Sequence, residues 1–306
     1  MPNAKTLAER EDRFVGGHRA CSGCGFPIAV RLILKATELP IVAGSATGCL
    51  SVTSSIFPYT AWNMPFIHSA FENIAATISG VETAYRVLRK KGVIDREIRF
   101  IAFGGDGGTY DIGIQSLSGA LERGHRMLYV CYDNGAYANT GIQRSGATPR
   151  GANTTTSPAG KVKPGKTQPR KDLTEIVVAH HIPYVAQASV AHWNDLVAKT
   201  EKALNTDGPS FINVMAPCRL SWGIDPNETV EIVRQAVDCC CWPLFEVENG
   251  RWKLSYRPKE KGSYIDWLKR QTRFRHLFKP GQEPLLEDLQ AEIDQKWATI
   301  VEHCGE

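Results

Sequence analysis

Apolar and polar positions follow two different periods along the first two-thirds of the chain. Short apolar runs that are typical of buried strands cover residues 40–44, 98–103, 127–132, 184–186 and 210–215. Apolar residues at helical spacing separate them and predict helices over residues 27–36, 71–91, 112–123, 173–180 and 193–205. Because strands separated by helices are joined by right-handed crossovers, the pattern predicts an α/β fold in which helices cover both faces of a mostly parallel sheet.

Three segments depart from this alternation, one at each end of the chain and one inside it. The two end segments leave the α/β domain at residues 18–224. Residues 1–17 are interpreted as an extended N-terminal arm. Residues 141–171 contain seven basic residues and no acid among Gly, Pro, Ser and Thr, which predicts a long basic loop that is functional or ordered by a partner. Residues 225–306 form an aromatic, charged C-terminal extension, helical or irregular, with helices expected near 267–276 and 285–303.

The composition is that of a globular protein with a substantial core, since 42% of the 306 residues are hydrophobic and 22% are charged. A net charge of +4 is too small to indicate nucleic-acid binding. No apolar run approaches the ~20 residues that span a bilayer, and the polar N-terminus lacks a signal core. We therefore expect a cytoplasmic protein with no nucleic-acid or membrane partner, whose nine cysteines stay reduced.

Four cysteines lie in Gly- or Pro-containing loops beside predicted elements. Cys21 and Cys24 form a CxxC pair, a spacing that places two sulfurs on one turn. Cys49 and Cys218 each follow a predicted strand, where an α/β sheet collects its ligands. Four thiolates can hold a [4Fe–4S] cluster or a structural zinc, and the CxxC pair alone also fits a thioredoxin-like redox pair.

The remaining cysteines show no ligand pattern. Cys131 lies within a predicted central strand. The Cys239-Cys240-Cys241 triplet follows a helical run, so its side chains point in different directions. We interpret these cysteines as small buried apolar residues.

A glycine-rich loop with an acid follows one predicted strand, and an asparagine follows the next. Asp106 lies in the run FGGDGG, and Asn134 comes 28 residues later. Since the ends of neighbouring parallel strands can be adjacent, the two side chains are expected to converge. Their oxygens suit Mg²⁺, which binds phosphate oxygens as well. The glycines that let the backbone approach a diphosphate are Gly104, Gly105 and Gly107.

This spacing resembles the thiamine-diphosphate motif GDG…N. A dinucleotide site would need GxGxxG after a strand, and neither that run nor a Walker-type loop is present. A plain Gly-rich turn with a surface acid is the alternative, but it leaves Asn134 and the two flanking strands unexplained. A helix starting near Asp111 would direct its N-terminus toward the same place.

Thiamine diphosphate and four clustered cysteines in one chain are a rare pairing, and the chain resembles the β subunit of the 2-oxoacid:ferredoxin oxidoreductases, which include pyruvate synthase. In that family this subunit is a thiamine-diphosphate-binding domain of the type that holds the diphosphate. The residues that carry the resemblance are 17–24, 46–50, 57–60, 65–68, 70–73, 105–113, 133–149 and 216–218.

The resemblance implies roles for individual residues. The implied ligands of a [4Fe–4S] cluster are Cys21, Cys24, Cys49 and Cys218. The implied ligands of Mg²⁺ are Asp106, Asn134 and the backbone carbonyl of Ala136. The implied contacts to thiamine diphosphate are Gly105, Asp106, Gly107, Asn134, Ala136, Ala138, Asn139 and Cys49. Asn139 corresponds to the family asparagine beside the substrate.

The resemblance also implies a reaction and partners. In such enzymes the thiamine carbanion attacks a 2-oxoacid, CO₂ leaves, electrons pass singly to the cluster and on to ferredoxin, and coenzyme A takes the acyl group. This chain supplies one α/β domain, so we expect obligate partner subunits: one carrying the glutamate that activates the pyrimidine, and one resembling ferredoxin. The C-terminal extension is expected to contact them. The basic loop would wrap a partner, attract acidic ferredoxin, or remain solvated.

Other candidates also have a structural interpretation. His68 could orient the substrate or close a buried hydrogen bond. Tyr110 and Asp111 could reach the substrate pocket, although an acid at a helix N-terminus needs no further reason. Asn73 fits a structural polar network better than a catalytic role.

Two departures from the family pattern leave the substrate open. Gly135 stands where a glutamate is expected, and the residues after Cys218 differ from the expected run. We expect pyruvate, converted reversibly to acetyl-CoA and CO₂, with oxalate or a branched or longer 2-oxoacid as alternatives. The remaining alternatives are a non-redox thiamine decarboxylase half with a structural zinc and a non-catalytic metal-binding module.

Overall fold

One eight-stranded sheet organises residues 3–305, the part of the chain that the computed structural model describes. Residues 1, 2 and 306, the ends of the predicted arm and extension, lie outside the described residues. The strands are β1 Ile41–Ala46, β2 Phe66–Ser69, β3 Arg99–Gly105, β4 Leu128–Asp133, β5 Tyr184–Ser189, β6 Ser210–Met215, β7 Phe245–Glu248 and β8 Arg251–Leu254. Their order is β2-β1-β3-β4-β6-β5-β7-β8, and the first six strands are parallel. The predicted mostly parallel sheet is therefore confirmed.

Helices cover both faces of this sheet. They are α1 Ala4–Glu9, α2 Phe26–Leu34, α3 Cys49–Ser54, α4 Ile74–Lys90, α5 Ile114–Glu122, α6 Leu173–Val178, α7 Trp193–Asn205, α8 Arg219–Trp222, α9 Thr229–Asp238, α10 Tyr264–Lys269 and α11 Glu283–His303. Along β3, Ile101 and Phe103 pack into one core cluster, while Phe100 and Ala102 pack into the other. Successive side chains of a strand point to opposite faces, so the apolar run at β3 reflects burial on both.

The sequence predicted a helical or irregular C-terminal extension, but this extension also contains two strands. The β7–β8 hairpin pairs antiparallel with β5 and extends the same sheet. Phe245 and Trp252 stack across this hairpin with their ring centroids 5.1 Å apart. The helix predicted at 267–276 is divided into α10 and a 3-10 helix, Thr272–Phe278.

The N-terminal arm is not extended throughout, because it contains α1, which Asn3 caps. Phe14 is buried against Trp62, with a centroid distance of 4.9 Å. The Arg13 guanidinium donates to the carbonyls that follow α2, at Thr37 (2.8 Å) and Glu38 (2.9 Å). These contacts attach the arm to the α/β domain, as suits a cation at a helix C-terminus.

The basic loop lacks regular secondary structure but is ordered by its own residues. Lys166 is fully buried, and its ammonium donates to the carbonyls of Gly146 (3.2 Å), Thr148 (2.5 Å) and Pro169 (3.3 Å). Burial lowers the pKa of Lys166 to about 8. One lysine thus gathers three parts of the loop, and no described carboxylate pairs with it.

No helix within residues 3–305 has the length and the apolar character needed to cross a bilayer.

Candidate cofactor site

The strand order opens a crevice at the carboxyl ends of β1 and β3. From β1 the chain continues to β2 on one side of the sheet and later to β3 on the other, so the loops after β1 and β3 diverge. A cavity of about 190 Å³ lies there. Its lining residues are Thr47, Gly48, Cys49, Phe71, Gly105, Asp106, Gly107, Gly108, Tyr132, Asn134, Ala136, Tyr137, Ala138, Asn139 and Thr140. Every predicted thiamine-diphosphate contact is in this set. A larger cavity of about 560 Å³, at the amino ends of the strands, contains none of them.

Asp106 is a buried carboxylate without a cationic partner among the described residues. Its side chain is 1% exposed and accepts hydrogen bonds from the Ser145 hydroxyl (2.5 Å) and the Asn134 amide (3.2 Å). Burial and the nearby Asp133 carboxylate raise the pKa of Asp106 to about 8. A cation bound at this position would stabilise the charged form.

Two further residues that line the same cavity, Asn134 and Ala136, offer oxygen atoms as metal ligands. The Asn134 side-chain oxygen accepts a hydrogen bond from the Ala136 amide (3.2 Å), and the Trp222 indole fixes the Asn134 carbonyl (2.6 Å). The Ala136 carbonyl is buried and accepts no hydrogen bond from the described residues. A buried oxygen without a donor needs another partner. The donor set of Asp106, Asn134 and Ala136 therefore fits Mg²⁺, which prefers oxygen ligands.

The glycines of the loop after β3 keep the cavity open. A Cβ atom on Gly107 would lie 2.5 Å from the Tyr137 ring, and one on Gly105 would lie 3.2 Å from Tyr132. Helical structure also begins earlier than predicted, because a π-helical turn over Gly107–Ile112 precedes α5. The backbone amides after Asp106 thus begin a helix at the cavity, an arrangement that suits an anionic diphosphate.

Backbone hydrogen bonds bring together the loops of the four predicted cluster cysteines. The Gly25 amide, next to Cys24, donates to the carbonyl of Pro217, next to Cys218 (3.1 Å). The Arg19 amide donates to Thr53 in α3, the helix that Cys49 begins (2.8 Å). The CxxC turn is thereby tied to both single-cysteine loops.

The four thiols are also electrostatic neighbours. Burial raises the pKa of Cys24 and of Cys49 to about 12, and the other three thiols of the group raise the pKa of Cys24 further. Within residues 3–305, however, no three His, Cys, Asp or Glu side chains are placed to hold a single metal ion. Cys131, Cys239 and Cys240 are buried, as predicted, whereas Cys241 of the same triplet is only partly buried.

The three candidate catalytic residues occupy different positions. Asn139 is exposed and lines the cavity. His68 is exposed and hydrogen-bonds Thr47, a lining residue (2.9 Å). Asp111 does not line the cavity and accepts hydrogen bonds from Tyr137 (3.0 Å), the Gly146 amide (2.8 Å) and Lys171 (2.7 Å). Its contacts fix the loops around the cavity, and a catalytic role for these residues stays a prediction.

The expectation that Tyr110 reaches the pocket is wrong. Its ring is buried on the other side of the π-helical turn, where the hydroxyl donates to Asp133 (2.5 Å) and receives hydrogen bonds from Asn213 (2.8 Å) and Arg170 (2.6 Å). Asn73 accepts a hydrogen bond from Ser69 (2.6 Å), consistent with the predicted structural network.

Ser145 and Trp222 both support the site, and neither was predicted from the sequence as a site residue. Ser145 reaches Asp106 from 39 positions away, and no motif marks it. Trp222 is not among the predicted site residues, yet its indole N–H donates a hydrogen bond to the Asn134 carbonyl. A tryptophan close after Cys218 was the available signal, since a buried indole N–H usually finds a partner.

The chain is similar to known proteins over nearly its full length. Residues 46–214 match the family described as thiamine pyrophosphate enzyme, C-terminal TPP binding domain. Pyruvate synthase subunit PorB of Thermotoga maritima is 51% identical over 98% of this chain and 96% of that protein. PorB of Methanocaldococcus jannaschii is 50% identical over 94% and 96%, and ketoisovalerate oxidoreductase subunit VorB of Pyrococcus abyssi is 44% identical over 94% and 90%.

A solved structure shares the fold. A chain of 2-oxoglutarate:ferredoxin oxidoreductase from Magnetococcus marinus superposes with a TM-score of 0.55 at 21% identity, covering 71% of this chain and 77% of that one. The thiamine-diphosphate-binding fold is thus confirmed independently of sequence motifs. With relatives at about half identity over almost the whole length, the chain belongs to the β subunits of the 2-oxoacid:ferredoxin oxidoreductases.

Proposed function

We propose that this β subunit binds thiamine diphosphate with Mg²⁺ beside a [4Fe–4S] cluster and oxidatively decarboxylates pyruvate to acetyl-CoA and CO₂, reversibly, with ferredoxin as the electron acceptor. The position of Cys49 carries the proposal. This residue lines the same cavity as Asp106 and belongs to the group of four neighbouring thiols. One side chain therefore adjoins both cofactor sites, which gives electrons a short route between them.

The residues at the cavity fit the diphosphate end of the cofactor. Gly105 and Gly107 leave the backbone accessible, and Asp106, Asn134 and the Ala136 carbonyl would hold Mg²⁺. Ala138 and Asn139 line the cavity further out. When bound, thiamine diphosphate supplies the carbanion and the electron sink, and the protein supplies position and electrostatics.

The number and kind of the thiols fit a [4Fe–4S] cluster. In such a cluster each iron takes one cysteine, and this chain offers the four thiols of Cys21, Cys24, Cys49 and Cys218. Besides burial, the thiols of the other three raise the pKa of Cys24, which makes the four residues neighbours. Four thiolates also suit a structural zinc, so the iron and zinc content of the chain decides between the two metals.

Asn139 lines the cavity and His68 hydrogen-bonds the lining residue Thr47, so both would lie near an entering 2-oxoacid. Asn139 makes no hydrogen bond with the described residues, which leaves its amide free for a carboxylate or carbonyl. His68 orients Thr47 at the wall. Asp111 would act indirectly, by holding Tyr137 against the glycine loop.

Partner subunits are part of the proposal. This chain would hold the diphosphate half of a thiamine site. Asn139, which lines the cavity, and Ile112, which ends the π-helical turn that starts there, are exposed. A chain carrying the pyrimidine site would cover this edge, and a ferredoxin-like subunit would receive the electrons from the cluster. The relatives named as pyruvate synthase subunits support pyruvate as substrate. The relative named as a ketoisovalerate oxidoreductase subunit supports a branched 2-oxoacid as second candidate.

The test is 2-oxoacid-dependent viologen reduction by the assembled complex under anaerobic conditions, with pyruvate, ketoisovalerate, 2-oxoglutarate and oxalate compared at equal concentrations. Pyruvate with coenzyme A is expected to give the highest rate. Cys49→Ser and Asp106→Ala are expected to abolish viologen reduction, while Cys304→Ser, near the C-terminus, retains it. CO₂ release without viologen reduction in the wild type would identify a non-redox decarboxylase and refute the proposal.

A further inference from the structure

Arg273 is a buried cation without an anionic partner. It lies in the 3-10 helix that follows α10, and its side chain is 5% exposed. Its Nε donates to the Gln271 side-chain oxygen (2.9 Å), while its Nη1 has no hydrogen-bond acceptor among the described residues. None of the described ion pairs includes it. A buried charge without an anionic partner costs free energy.

The guanidinium is held against the loop that follows β4. It stacks over the Trp222 ring at 4.2 Å from the centroid, and Trp222 donates to the Asn134 carbonyl. A Cβ atom on Gly135 would lie 3.2 Å from Arg273 Nη1. A side chain at position 135 would therefore contact the Arg273 guanidinium. Because this chain has glycine at position 135, the guanidinium has no side-chain partner there.

Trp222, over which this guanidinium stacks, is the last residue of α8, the helical turn that Cys218 caps. The Cys218 sulfur accepts a hydrogen bond from the Ser221 amide (3.5 Å) and so caps the N-terminus of α8. The Thr272 hydroxyl, next to Arg273, donates to the carbonyl of Gly223 (2.8 Å). Burial raises the pKa of the Cys218 thiol, and the Arg273 charge acts in the opposite direction.

Neighbouring charges do not cancel this cation. Arg170 forms the ion pair with Asp133, which also accepts from Tyr110, so that carboxylate is already balanced. Burial lowers the pKa of Arg273 to about 9, so the guanidinium stays protonated at neutral pH. A net positive charge therefore remains between the Asn134 loop and Cys218.

We propose that Arg273 raises the reduction potential of the iron–sulfur cluster held by Cys218 and its three partner thiolates. Reduction of a bound cluster would add one electron, which the thiamine cofactor would supply in the reaction, and the Arg273 cation in a low-dielectric interior would stabilise the added negative charge. The inference rests on the proposed cluster. It adds that a residue outside the ligand set makes the cluster a better electron acceptor.

The experiment is a redox titration of the full chain, purified anaerobically, in which dithionite and mediators supply the electron and EPR measures the reduced cluster. Arg273→Met and Arg273→Gln remove the charge, and Arg273→Lys keeps it. Arg99→Met is the matched control, because Arg99 is buried to a similar extent. Arg99 is the first residue of β3, six residues before Gly105 at the cavity, which places the two residues ~20 Å apart along the strand. Iron and sulfide are counted for every variant.

In the neutral variants the reduction equilibrium is expected to shift about tenfold toward the oxidised cluster. This shift corresponds to a midpoint potential ~59 mV more negative than that of the wild type. Arg273→Lys and Arg99→Met should stay near the wild type. A midpoint in the neutral variants that equals the Arg99→Met value, or is more positive, overturns the inference. So does loss of iron in both neutral variants while Arg273→Lys retains it, since that indicates a structural role. A wild-type chain without iron and sulfide would instead refute the proposed function itself.

Discussion

Replacing Ser145 by alanine should weaken Mg²⁺-dependent binding of thiamine diphosphate without unfolding the protein. The Ser145 hydroxyl donates to Asp106 at 2.5 Å, and both residues are buried. This hydrogen bond favours the ionised carboxylate, the form that binds a metal ion. The substitution removes one oxygen atom at the end of a short side chain and leaves Asp106 with the Asn134 amide as its remaining donor.

The size of the effect follows from the geometry. A hydrogen bond to a charged group contributes about 1.5–3 kcal/mol when its partner is buried. At ~1.4 kcal/mol for each factor of ten, the affinity for Mg²⁺ should fall about 10- to 100-fold. The fold should persist, because Lys166 and Asp111 hold the neighbouring parts of the basic loop independently of this hydroxyl.

The assay strips the assembled complex with a chelator and titrates Mg²⁺ back at fixed thiamine diphosphate, with the retained cofactor measured after ultrafiltration. Ser157→Ala is the matched control, since Ser157 lies in the same loop and its hydroxyl makes no hydrogen bond with the described residues. Equal Mg²⁺ requirements in the wild type and Ser145→Ala would show that Asp106 is not a metal ligand.

Three further substitutions test the lining of the cavity and the loops that support it. Gly107→Ala places a Cβ 2.5 Å from the Tyr137 ring and should lower thiamine-diphosphate affinity at least about tenfold in the same ultrafiltration assay. Trp222→Phe removes the donor to the Asn134 carbonyl and should lower the free energy of unfolding by ~1–3 kcal/mol in urea titrations. Lys166→Met leaves three carbonyls without their donor and should make the basic loop the first site of tryptic cleavage.

Each of these expectations has a contrary result. Unchanged cofactor affinity in Gly107→Ala would mean that the cofactor does not approach this glycine. An unfolding midpoint in Trp222→Phe equal to that of the wild type would show that the indole hydrogen bond contributes nothing. If trypsin cut the loop of Lys166→Met no faster than that of the wild type, another contact would order the loop.

The sequence predicted those parts of the site that are fixed by strand ends. Asp106 and Asn134 follow β3 and β4, which are adjacent in the sheet, so their convergence required only the parallel pairing. Cys49 and Cys218 follow β1 and β6 for the same reason. Local periodicity sets the strands, and the strands place these side chains.

The sequence could not predict contacts that the loops decide. Ser145 and Arg170 reach their carboxylate partners only because the basic loop folds back over the glycine turn, which depends on the buried ammonium of Lys166. The strands at Phe245–Glu248 and Arg251–Leu254 were also missed, because four residues are too few to show an alternation. Their pairing is set by the edge that β5 offers.

The measurement that tests the central claim most directly is the content of iron, sulfide and zinc in the anaerobically purified chain, with an EPR spectrum after dithionite reduction. About four irons and four sulfides per chain are expected, together with a reduced-cluster signal that Cys49→Ser loses and Cys304→Ser retains. One zinc and no iron would contradict the account and leave a thiamine-dependent enzyme with a structural metal.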